Sequence, residues 1–220
     1  MNTASGNPSG EWLDRVAHDL RGPLMPLQTA AYLLRSGQLD AARQQELVEV
    51  IERQTRQLSR MIDELGDWMR AGQQRLLGHR ESCMPALLLD YAATGAGLPP
   101  AIIEDRSDGA EVPGDAQRLT QLLRILLGYA STQGGVPRVR IAREGKGVRI
   151  DVAATRAPDA PPATTLLDGP QAHAFDGGLG LQLLLARAIA AAHGGTLQAT
   201  DEGEDVRLRC ELPLADDAAA

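Results

Sequence analysis

The chain has 220 residues, 43% of them hydrophobic, which is enough for one large domain or two small ones with real cores and excludes disorder throughout. A net charge of −7 and no large basic patch exclude a nucleic-acid surface, because a phosphate backbone rewards clustered positive charge. Aromatic residues make up only 3%, so Leu, Ala, Val and Ile must do most of the packing.

Cys83 and Cys210 lie far apart and share no ligand or framework spacing. They read as two buried thiols in a reducing compartment. The opening MNTASGNPSG has neither a basic start nor an apolar stretch, so it is not read as a signal peptide. No window approaches the ~20 apolar residues of a membrane span. The expectation is a cytoplasmic protein without a sensor segment of its own.

Residues 1–10 read as a flexible lead-in, with Asn7-Pro8 as cap and first helical position. Leu13, Val16, Leu20, Leu24, Leu27, Ala31 and Leu34 then recur at the spacing of a helix seam. SGQLD (36–40) breaks the seam, and Asp40 can cap a second helix. The second seam runs Leu47, Val50/Ile51, Gln54, Leu58, Met61/Ile62, Leu65, Trp68/Met69. Two such helices joined by a short turn make an antiparallel hairpin over 11–72. A lone hairpin buries one side of each seam. Two copies would close a four-helix bundle, so the pattern predicts a homodimer; the bland reading is that the helices pack on the rest of the chain.

After Gly72 the pattern changes to a second domain over 80–214, followed by a tail over 215–220. Strand-like runs are predicted at 101–104, 137–143, 148–153, 196–200 and 206–212. Helices are predicted between them at 85–93, 115–130 and 179–193. PRVRIAREG and KGVRIDVAA flank a glycine turn and read as a hairpin. Residues 155–176 lack periodicity and read as a loop. The fold class is α+β: a helical hairpin, then one sheet layered with helices as an α/β sandwich.

VAHDLRGPLMP (16–26) carries the chemistry. His18 falls off the core-facing line of Val16 and Leu20, toward solvent. A neutral imidazole is a competent nucleophile at physiological pH. Asp19 beside it can accept the proton of one ring nitrogen and orient the other for attack. Pro23 and Pro26 cannot donate to the carbonyls of Asp19 and Gly22, which weakens the helix just past the histidine. Met25, Thr29 and Tyr32 continue the exposed stripe, and Arg53 and Gln57 face it from the second helix. With Arg21 and Gly22 they form the expected docking surface; the bland reading is a solvated helix face.

HDLRGPL followed by two amphipathic helices resembles the dimerisation and phosphoacceptor domain of bacterial histidine kinases, whose signature is His-Glu/Asp-Leu-Arg-Thr/Asn-Pro-Leu. The second domain is similar to their ATP-binding domain. GDAQRLTQLLRILLGYA (114–130) resembles the helix of their Asn motif, and GGLGLQLLLARAIAAAHGGTL (177–197) their second glycine motif with the helix and strand after it. The resemblance implies that His18 is the phosphoacceptor and Asp19 its activating acid. It also shows departures. The family's Mg²⁺-binding asparagines fall at Ile125 and Tyr129, and neither offers the amide or carboxylate oxygen that a hard cation takes. Its adenine-binding aspartate falls at Ala154, with Arg156 and Pro158 for the glycines that follow. Gly178 and Gly180 survive at a helix start, where backbone N–H groups meet phosphate or merely turn the chain. Gly22 stands where dephosphorylating members carry Thr or Asn.

These residues predict a histidine phosphotransfer protein of a phosphorelay. His18 would accept and return a phosphoryl group on receiver-domain aspartates of response regulators, with no ATP and no metal of its own. The Mg²⁺ would belong to the partner receiver. The alternatives are an ATP-dependent sensor histidine kinase with atypical nucleotide motifs, and a non-catalytic dimeric scaffold that binds a receiver or kinase.

Overall fold

The computed structural model describes residues 10–37, 39–95, 98–172 and 174–214, apart from the side chains of Glu11 and Leu13. The Asn7-Pro8 cap, the Leu13 seam position and the tail lie outside the described residues.

Two long helices open the chain, α1 (Gly10–Arg35) and α2 (Ala41–Gly72). Asp40 caps α2 by accepting the Arg43 N–H at 2.8 Å. Pro23 and Pro26 both sit inside α1, which carries on through them to Arg35. The expected weakness is therefore confined to missing donors for two carbonyls and does not end the helix.

The second domain runs β1 (Glu81–Cys83), α3 (Pro85–Gly95), β2 (Ile102–Arg106), β3 (Val112–Gly114), α4 (Ala116–Ser131), β4 (Gly134–Glu144) and β5 (Gly147–Thr155). A 3-10 turn (Ala163–Thr165), α5 (Gln182–Ala192), β6 (Thr196–Glu202) and β7 (Asp205–Pro213) complete it. The main sheet has the order β2-β4-β5-β7-β6, parallel at β2–β4 and antiparallel elsewhere. Helices α3, α4 and α5 cover one face. Val148, Ile150, Val152 and Ala154 of β5 point into them at every second residue, against Leu122, Leu126 and Ile189. The other face carries cross-strand ion pairs such as Arg209–Asp151. The α+β fold of hairpin plus layered sheet is the one the sequence implies.

Two departures from the expected elements have local causes. β1 pairs with β3 in a small separate sheet, and three residues per strand are too few for an alternation to show. Helix α5 starts at Gln182, three residues late, because Gly180 takes φ +76° and Leu181 only then turns helical.

The hairpin's seam is divided between two tasks. Val16 and Met61 are buried with Leu179, Leu181 and Leu184 of the second domain, and Trp12, Leu20, Leu65 and Trp68 pack around them. Here the helices do pack on the rest of the chain. Leu24, Val48, Ile62 and Met69 stay exposed.

A second contact ties α2 to α4. Asp67 accepts from Arg118 at 2.9 Å and from Gln121 at 2.6 Å, with Arg70 on its other side. Burial pushes the Asp67 carboxyl up, but the hydrogen bonds from Gln121, Arg70 and Arg118 outweigh it and hold it below the usual carboxylate range. Asp67→Ala leaves Arg118 half-buried without its carboxylate, so it should cost about 2–3 kcal/mol in denaturant unfolding.

Candidate functional site

His18 lies on the outer face of α1 with its side chain 85% exposed. Its Nδ1 is 3.2 Å from Asp19 Oδ1. Asp19 Oδ2 is in turn 3.9 Å from Arg15 Nε, one helical turn back. With the ring proton on Nδ1 donated to Asp19, the free lone pair is on Nε2, the nitrogen pointing away from the carboxylate.

Around it, Arg21 and Gly22 are exposed, and a Cβ at Gly22 would meet nothing within 4 Å. Met25 is 65% and Tyr32 74% exposed, both unusual for large apolar side chains. Thr29 is exposed too, its hydroxyl donating to the Met25 carbonyl at 3.0 Å. Arg53 of α2 is exposed. Gln57 departs from the expected docking surface: its Nε2 donates to the Gly177 carbonyl at 3.1 Å. The glycine loop of the second domain lies over this part of α2, so Gln57 faces its own chain.

The positions that resemble nucleotide motifs are packed shut. Ile125, Tyr129 and Ala154 are all buried. Tyr129 meets Phe175 edge-on, centroids 5.8 Å apart at 81°, so the 155–176 loop folds inward onto α4. Ala163, Leu166 and Leu167 of that loop join the core. The Tyr129 hydroxyl is buried with no hydrogen-bond partner among the described residues, and burial, with Asp201 adding, pushes it up to about 12. Among the described residues no group of three or more His, Cys, Asp or Glu is placed to hold a metal ion.

Sequence reasoning missed the residue at the centre of the glycine loop. Glu64 of α2 is buried, and its carboxylate accepts the backbone N–H groups of Leu179 and Leu181, each at 2.6 Å. These are the amides that a phosphate at this helix start would use. The two glycines are shaped around the contact: a Cβ on Gly178 would come within 2.3 Å of Glu64 Oε2, and one on Gly180 within 2.3 Å of the Gln171 carbonyl. The signal was present, since Glu64 follows Met61 by three residues and so falls on the seam, where a charge has no place in a plain apolar stripe.

Two buried titratable groups oppose each other in pH. Burial first, and the nearby Asp176 charge, raise Glu64 to about 7 against the hydrogen bonds from Leu179 and Leu181. His193 accepts the Asp115 N–H at Nε2 and is lowered, first by burial. As pH falls below 7 the folded state gains a proton at Glu64 that the unfolded chain does not hold, which stabilises it. Below 6.5 the unfolded chain gains one at histidine that the folded state refuses, which destabilises it. Glu64→Gln should therefore lose stability between pH 7 and 5 relative to wild type, and His193→Gln should gain it; denaturant midpoints at the two pH values read both slopes.

Residues 9–74 match the His Kinase A (phospho-acceptor) domain family. The chain is 26% identical over 205 residues to the sensor histidine kinase ZraS of Escherichia coli O157:H7, covering 90% of this chain and 45% of that protein. It spans between 28% and 45% of the length of the curated relatives it matches. In fold it is similar to the Acinetobacter baumannii histidine kinase AdeS, with a TM-score of 0.68, 19% identity and coverage of 90% of this chain and 98% of that one. It is also similar to the histidine kinase ThkA, solved in complex with the response regulator protein TrrA, with a TM-score of 0.68, 21% identity and coverage of 93% and 61%. These findings support a histidine-kinase-like protein of two-component signalling. No described helix is long and apolar enough to cross a membrane.

Proposed function

We propose that this chain is a histidine phosphotransfer protein, which exchanges a phosphoryl group between His18 and receiver aspartates and draws none from ATP. The observation that carries this reading is the Glu64 carboxylate on the Leu179 and Leu181 amides. A carboxyl group already sits on the amides where the nucleotide's phosphates would be held; Ile125 and Ala154 offer neither metal ligand nor adenine partner, and Tyr129 offers only a buried, neutral phenol. Mg-ATP does not fit these residues.

In this reading the Nε2 lone pair attacks the phosphorus of a receiver's aspartyl phosphate. The P–O bond to that aspartate breaks and its electron pair returns to the carboxylate as the N–P bond forms. The Nδ1 proton stays on the ring, where Asp19 faces the positive charge that develops. Loading a second receiver is the same step reversed. The chain's part is to position a nucleophile on a rigid helix, with Arg21, Gly22, Met25, Thr29, Tyr32 and Arg53 as the docking face and Mg²⁺ held by the receiver. A homodimer through Leu24, Val48, Ile62 and Met69 would cover the apolar residues the single chain leaves open.

A second reading, an ATP-dependent sensor kinase, is favoured by the comparisons, since a protein named a sensor histidine kinase aligns with 90% of the chain. One experiment separates the two. The chain is incubated with labelled ATP and Mg²⁺, and in parallel with a phosphorylated receiver. Label on the chain only from the receiver is the result expected here; label from ATP gives the kinase reading the chain.

A further inference from the structure

One arginine connects the histidine of α1 to the second domain. Arg15 lies one helical turn before Asp19, beside Val16, which is buried with Leu179, Leu181 and Leu184. It therefore stands at the rim where the loop before α5 meets α1. Its Nη2 donates to the carbonyls of Ala172 at 3.2 Å and Gln171 at 3.4 Å, and its Nε lies 3.9 Å from Asp19 Oδ2. The other carboxylate oxygen, Oδ1, is 3.2 Å from His18 Nδ1. An unbroken line of polar contacts thus runs from the loop of the second domain to the imidazole.

A freely moving surface arginine would do little at 3.9 Å, because ordering its long side chain costs about as much as the ion pair returns. Here the two loop carbonyls already hold the guanidinium in place. They are neutral acceptors, so its positive charge is left for Asp19. The carbonyls are held in turn by Gln171. Its N–H donates to the Gly180 carbonyl at 2.9 Å, and its side-chain Nε2 to the carbonyls of Leu166 at 2.8 Å and Gly169 at 3.3 Å. Gln171 closes the loop on itself, and none of these bonds reaches Asp19 or His18.

We propose that Arg15 is a positioning residue through which the second domain sets the tautomer of His18. With Asp19 Oδ2 held toward Arg15, Oδ1 stays toward Nδ1. That nitrogen keeps the ring proton, and the lone pair stays on the exposed Nε2. An unrestrained histidine side chain favours the opposite form, with the proton on Nε2. The second domain thereby gains a task that needs no nucleotide: it braces the acid beside the histidine. The proposal rests on the phosphotransfer reading for what the lone pair does, and not for which nitrogen holds it.

The test is nitrogen NMR of the full chain labelled at its four histidines, at pH 8.5, where an ordinary imidazole is neutral. His18→Ala identifies the His18 signals, and far-ultraviolet dichroism checks the fold of each variant. The expected wild-type form carries the proton mainly on Nδ1. Arg15→Ala and Gln171→Ala should each shift the population toward Nε2–H, and the double variant should go no further than Arg15→Ala alone. In loading by a phosphorylated receiver, Arg15→Ala should lower the rate at saturating receiver about two- to threefold and leave half-saturation unchanged. Arg15→Lys, a point charge without the planar fork, should rescue neither readout. A wild-type ring protonated on Nε2, or an Arg15→Ala variant with the wild-type tautomer, overturns the proposal. A Gln171→Ala variant with the wild-type tautomer overturns the second domain's part in it. A chain that shows these tautomer shifts yet takes no phosphoryl group bears out the positioning and overturns the phosphotransfer reading.

Discussion

His18→Ala is expected to abolish phosphoryl loading of the chain by a phosphorylated receiver, with no residual transfer above background. The side chain is 85% exposed and bonded to Asp19 alone among the described residues, so its removal should leave stability within about 0.5 kcal/mol of wild type. A variant that folds, docks the receiver and takes no phosphoryl group places the chemistry on the imidazole. If the variant instead supports signalling as well as wild type, the chain is a scaffold and His18 is surface decoration.

Asp19→Asn should slow loading by roughly 10²-fold while receiver affinity stays within a factor of two or so. The substitution keeps the shape and removes the charge that lies 3.2 Å from Nδ1. An amide can also turn its NH₂ toward the ring, which favours the other tautomer and moves the lone pair from the exposed Nε2 to the nitrogen against the helix. Charge and tautomer therefore act in the same direction. Because Arg15 sits 3.9 Å from the same carboxylate, Arg15→Ala should have a much smaller effect, and the pair of rates separates the acid from its neighbour.

Much of the molecule was legible in the amino-acid order. The seams of α1 and α2 carry a 3.6-residue period over many turns, and β7 alternates over its nine residues and β5 over its first six, long enough for burial to leave its mark. The pairing of His18 with Asp19, and its exposure, followed from position on the helix. The small β1–β3 sheet was not legible, because three residues carry no period. Gln57 was misplaced for a different reason: periodicity gives the face of a helix but not which other part of the chain will lie on that face. The same limit held for Glu64: its place on the apolar seam marked it as unusual, but its partner was not legible. A glycine motif reads as a place for a phosphate, and only the fold brings a carboxylate from 115 residues earlier into the same amides.

The most direct measurement is a calorimetric titration of the full chain with ATP and Mg²⁺, carried to millimolar nucleotide at pH 8, above the value of about 7 to which burial raises Glu64, so that its carboxylate is ionised. The account predicts no saturable heat, since Glu64 holds the amides and Tyr129 and Ala154 stand where metal and adenine partners would be. Saturable binding would contradict it, return the phosphate cradle to the nucleotide and make His18 the target of the chain's own kinase activity.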